Sequence, residues 1–160
     1  MPLQRNQGIF TWEDNLAFDL ERMADFAQRN IAYIARKNPG KTFYAFAIDA
    51  NLLCLNDLDS LERDLSRFGY RSDLEEFKYS VGDWKFQGFA EMASEDGFDL
   101  AAYEKHYDLL QAADSNADRT GHTAYAQAMD ALIDRLNVLG AFLPLKRTID
   151  FRAFRSYPNY

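Results

Sequence analysis

The sequence of 160 residues predicts an α+β domain, with helices packed on a small, largely antiparallel sheet. Three observations carry this. Long segments near both ends repeat apolar residues at helical spacing. The stretch Thr42–Asp49 is apolar on both of its alternating faces, as a strand covered on two sides must be. Helix-like and strand-like segments then follow one another without regular β-α-β alternation. No linker, internal repeat or low-complexity stretch divides the chain, so residues 1–160 read as one domain.

Residues 12–37 read as the first helix. Leu16, Leu20, Met23, Ala27, Ile31 and Ile34 fall on one stripe, Thr11 is placed to cap, and Asn38-Pro39-Gly40 stops the helix. In the strand that follows, alternation sends Phe43, Ala45 and Ala47 one way and Tyr44, Phe46 and Ile48 the other. Asp49-Ala50-Asn51 reads as a turn into a short strand, Leu52 to Leu55. Asn56 or Asp57 then caps a second helix with Leu58, Leu61, Leu65 and Phe68 buried, ended by Gly69. Between 74 and 92, Phe77, Tyr79 and Val81 alternate with polar residues, as do Trp84 and Phe86. A hairpin turning at Gly82-Asp83 is one reading, and a short helix from Asp83 is the other. Asp99 caps a third helix through Leu110; a fourth runs from about Thr123 to Leu139 with Gly140 at its end. A last strand covers Arg147 to Phe154, with Ile149, Phe151 and Ala153 alternating with Asp150 and Arg152.

The formal net charge of -7 disfavours a nucleic-acid binder, which needs Lys and Arg to displace counterions from phosphate, and disfavours anionic lipid. It suits a basic protein partner or, more simply, solubility. Aromatic residues at 15% fit either a sheet–helix core or a binding surface. The single cysteine excludes an internal disulfide, the first residues lack the apolar core of a secretory signal, and no apolar run reaches the ~20 residues of a membrane span. The expected location is the cytoplasm, with no membrane and no nucleic-acid partner.

No motif carries recognisable chemistry, and no cofactor is expected. Asp114-Ser115-Asn116-Ala117-Asp118 begins like a calcium loop, but Arg119 stands where glycine is needed and Tyr125 where a bidentate Glu is needed. His106, His122 and Cys54 lack zinc-site spacing. Cys54 lies between Leu53 and Leu55, an apolar setting that blunts a thiol. The second helix presents Asp57, Asp59 and Glu62, followed by Glu75, Glu76 and Asp83. These acids read either as solvated surface or as a docking face for a basic partner. Trp84 beside them reads either as an anchor of that face or as core.

The pieces Phe43-Tyr44-Ala45-Phe46-Ala47, Phe77-Lys78-Tyr79 through Asp83-Trp84-Lys85-Phe86, and Leu132 through Leu139-Gly140-Ala141-Phe142 together resemble a bacterial domain-of-unknown-function family built on such an F-Y-A-F-A strand. The resemblance spans roughly residues 25 to 154. Members of such families look like immunity proteins of contact-dependent or type VI secretion competition. The resemblance therefore implies a non-enzymatic protein that binds one cognate toxin, and it offers no catalytic residue to carry over. An enzyme or small-ligand protein with a pocket near the aromatic mid-chain segment is the alternative.

Overall fold

A computed structural model describes residues 18–68, 74–94, 98–101, 103, 104 and 123–156. Four strands form one sheet: β1 (Phe43–Asp49), β2 (Leu52–Asp57), β3 (Phe86–Glu91) and β4 (Arg147–Arg155). Their order is β3-β2-β1-β4. Both β1–β2 and β2–β3 are antiparallel, while β4 lies parallel to β1 at the sheet edge. Helices α1 (Leu20–Lys37) and α4 (Ala124–Val138) cover one face; α2 (Leu58–Phe68) and α3 (Leu74–Lys78) cover the other. This is the expected α+β arrangement, with helices packed on a small, mostly antiparallel sheet.

Helix α1 begins later than the apolar spacing suggested. Asp19 is its N-cap, accepting the Arg22 amide at 3.2 Å, and Phe18 pairs instead in an isolated bridge with Phe98. Thr11 and the residues up to 17 lie outside the described residues. The far end stops at Asn38, as the Asn-Pro-Gly sequence requires. Arg135 of α4 holds Glu21 of α1 at 2.9 Å, which ties the two helices together at the surface.

Simple alternation fails in β1. The register shifts between Phe43 and Ala45 against both neighbouring strands. Phe43 consequently joins Phe46, Ile48, Leu53 and Leu55 under α1 and α4, while Tyr44, Ala45, Ala47 and Cys54 face α2 and α3. A bulge inserts an unpaired residue and so inverts the parity on one side of itself. In β4 the same break sets Phe43 against Arg147 but Ala45 against Arg152, leaving residues 148–151 opposite Tyr44 alone. Ile149, in that bulge, is fully exposed, whereas Phe151 packs on Phe142 at 5.3 Å between ring centres. The expected inward alternation of β4 is therefore corrected at Ile149.

The segment 74–92 is neither hairpin nor helix from Asp83. Phe77 lies buried in α3, a one-turn 3₁₀ segment occupies Val81–Asp83, and only Phe86–Glu91 is strand, paired with β2. The alternation of Phe77, Tyr79 and Val81 misled because a short helix and a 3₁₀ turn also bury residues two and four apart when they meet one core.

Residues 100, 101, 103 and 104 are helical, which places the start of the expected third helix; its remainder, with His106, the 114–118 loop and His122, lies outside the described residues. Helix α4 starts where expected: the Thr123 hydroxyl accepts the Ala126 amide at 3.0 Å. Its end is a Schellman motif. Gly140 N–H donates to Asn137 O and Ala141 N–H to Leu136 O, with Gly140 at φ +70°. A Cβ at Gly140 would also stand 2.8 Å from Leu143 Cδ1. Gly140→Ala is expected to cost about 1–2 kcal/mol in a denaturant titration, from the left-handed backbone.

Candidate functional site

The acidic residues divide sharply on their environment. Asp57 closes β2 and is fully buried. Its Oδ2 accepts the Ser60 amide at 3.1 Å and its Oδ1 accepts the Ser60 hydroxyl at 2.6 Å, so it caps α2. Lys41 Nζ, 3.9 Å away, balances the charge and also reaches Asp59 at 3.6 Å. Asp57 is thus a structural residue and not a surface contact. Asp59 and Glu62 on α2, Glu75 and Glu76 on α3, and Asp83 on the 3₁₀ turn are all exposed. All five ride on the layer that covers the Tyr44/Ala47/Cys54 face.

Trp84 is core. Only 5% of it is exposed, and its indole N–H donates to Lys78 O at 3.1 Å. Tyr44, Trp84, Phe154 and Tyr79 form a closed ring of four aromatic side chains, each meeting the next near-perpendicular at 5.8–6.1 Å. Edge-to-face contacts of this kind bring the positive rim of one ring to the negative face of the next. Tyr44 O–H also donates to Lys78 O at 2.8 Å and accepts from Asn56 Nδ2 at 2.8 Å; Asn56 Oδ1 in turn accepts the Lys85 amide at 3.0 Å. Burial pushes the Tyr44 phenol well above its ordinary value, so it serves here as a neutral hydrogen-bonding group. This network fixes α3, the 3₁₀ turn and the start of β3 on the sheet, and thereby places Glu75, Glu76 and Asp83.

Cys54 lies on the same face, buried. Desolvation pushes its thiol up to about 12, and its sulfur accepts the Gly88 amide at 3.4 Å. A thiol in that state is a small apolar core group rather than a nucleophile at neutral pH. Among the described residues no three His, Cys, Asp or Glu side chains gather as metal ligands, and no helix is long and apolar enough to cross a membrane.

Burial also raises the Asp49 carboxyl above its ordinary 3.8. The folded state then holds this proton to higher pH than the unfolded state. Its contribution is most favourable below the ordinary value and declines as pH rises through the raised one. Asp49→Asn is expected to raise the melting temperature more at about pH 7 than at about pH 4. Equal shifts at both pH values would contradict it.

A groove of about 480 Å³ was not visible in the sequence. It is lined by Tyr79, Arg152 and Phe154 on one side and by Asp130, Ile133 and Asp134 of α4 on the other. Arg155, almost fully buried, donates through Nε to Asp130 Oδ1 at 3.0 Å. Arg152 stacks over Tyr79 and Phe154, 4.9 and 5.0 Å from the ring centres. No local pattern links Asp130 to Arg155, because the fold alone brings α4 beside β4. The groove touches the aromatic ring at Tyr79 and Phe154, while Trp84 itself does not line it.

No protein-family model matches the chain, and no curated protein or solved structure does so either.

Proposed function

We propose that this chain is a non-enzymatic immunity protein that binds and occludes a cognate antibacterial toxin in the cytoplasm. The observation that carries the reading is the placement of Asp59, Glu62, Glu75, Glu76 and Asp83, all exposed on one helical layer that a buried cap and an aromatic ring tie to the sheet. Backbone elements tied to the sheet in this way present the acids from fixed positions, which lowers the ordering cost of meeting a basic surface. A toxin that acts on phosphate must itself carry cations, and those are the groups such a layer meets. Asp57 and Trp84 serve this face from beneath, by capping and by packing. The buried, protonated Cys54 supports a binding role over nucleophilic catalysis.

The test is co-expression with the products of the neighbouring genes, among which the proposal requires a toxin that arrests growth. Growth should be restored by the native chain and lost when Asp59, Glu62, Glu75 and Glu76 are all changed to Lys. Rescue by that folded variant equal to the native chain would remove the acidic layer from the account.

A further inference from the structure

The groove beside β4 is built around a sheet edge. Its residues 152–155 are consecutive along β4, the last strand in the order β3-β2-β1-β4, and Ser156 follows directly. Its walls come from opposite sides of the sheet: Tyr79 belongs to the layer with α2 and α3, and Ile133 to the layer with α1 and α4. The groove therefore straddles an edge that is open among the described residues, and is not a pit in either face.

The ladder phase tells which backbone groups look into it. Ser156 N–H donates to Ile48 O at 2.8 Å, and Ile48 pairs with Arg155 in the parallel register. Successive residues of a strand turn their N–H and C=O to opposite sides in the sheet plane. Arg152, Phe154 and Ser156 thus address β1, and the N–H and C=O of Ala153 point outward, between the two walls. Edge groups of this kind are a template for another strand.

The side chains add a charge pattern. Asp134 is exposed on the α4 wall and makes no ion pair among the described residues. Arg152 is exposed on the opposite wall, stacked on two rings but likewise without an ion pair among the described residues. Asp130 and Arg155 neutralise one another between them. The walls therefore offer one unbalanced charge of each sign, on opposite sides of the open edge.

We propose that the open edge of β4 at Arg152–Ser156 is a docking slot for an extended segment of a partner protein, which adds as a fifth strand with basic side chains toward Asp134 and acidic side chains toward Arg152. Neighbouring residues of a strand point to opposite faces, so the matching segment alternates basic and acidic residues. The slot uses none of the acidic residues of that layer and shares with it only Tyr79 and Phe154 of the aromatic ring, so either can fail alone.

The probe is an N-acetylated, C-amidated peptide of roughly nine residues alternating Lys and Glu, a strand of ordinary length. Titration followed by backbone NMR should give saturable binding and slowed exchange of the Ala153 amide. Asp134→Lys or Arg152→Glu should each weaken it by about fivefold, as an attraction becomes a repulsion. Two methylated peptides decide the backbone role without altering the protein. In an added strand all Lys amides face one way and all Glu amides the other. Methylating the amides of one set should abolish binding, and methylating those of the other should leave it. Equal effects of the two methylations, tight binding of free Lys-Glu dipeptide at the same strength, or no binding by the capped peptide would each overturn strand addition.

Discussion

Trp84→Ala is expected to lower the free energy of unfolding by about 3–5 kcal/mol, the usual range for emptying a buried Trp site. The side chain meets Tyr44 at 6.1 Å and Phe154 at 5.9 Å, and its N–H shares the Lys78 carbonyl with the Tyr44 hydroxyl. Truncation breaks two sides of the aromatic ring and removes one of the two donors at that carbonyl. The cavity would lie between α3, β1 and β4, elements that close packing around Trp84 holds in place. Urea titration with an unchanged m value is the measurement, since a constant m reports a change of stability alone. Trp84→Phe keeps a ring but loses the indole hydrogen bond, and its cost should be clearly smaller. A stability change under about 1 kcal/mol in Trp84→Ala, with partner binding lost, would make Trp84 a surface anchor after all.

The second large effect is kinetic. Asp59→Lys combined with Glu62→Lys should slow association with a basic toxin by about 10–100-fold at low salt, within the range that electrostatic steering supplies. The difference should shrink as salt shortens the Debye length to a few ångströms. Dissociation should change less, because rim charges act chiefly on encounter. Asp57 is the wrong residue for this experiment despite lying next to the same helix. Its two oxygens cap α2 through Ser60, and reversal of its charge would place an ammonium among groups that require an acceptor. Stopped-flow rates across a salt series check the prediction; rates equal to those of the native chain at every ionic strength would contradict it.

Where the sequence was legible, local physics decided the outcome. The Asn-Pro-Gly stop of α1, the Thr123 cap and the Gly140 Schellman end were readable because each is a backbone requirement met by neighbouring residues. The doubly apolar β1 was readable because helices do cover it on both sides. The parity of its side chains was not, since the bulge at Phe43–Ala45 is set by two partner strands rather than by β1 alone. Segment 74–83 folds as a short helix and a 3₁₀ turn because Phe77 and Val81 seek the core around Trp84, a tertiary demand that overrides alternation. The acidic layer was legible as composition; that Asp57 leaves the surface to cap α2 was not. The Asp130–Arg155 pair and the groove beside it arise from the approach of α4 and β4, and no residue spacing announces them.

The most direct test of the proposed function is to capture from the native cytoplasm, with neighbouring gene products co-expressed, any toxin that binds the chain. The folded chain is then titrated into it by calorimetry, with toxin activity assayed at each point. The account predicts one-to-one binding at nanomolar affinity or tighter, with activity falling to zero at the same equivalence point. A saturated complex that keeps full toxin activity, or an absence of binding between two folded proteins, would contradict it.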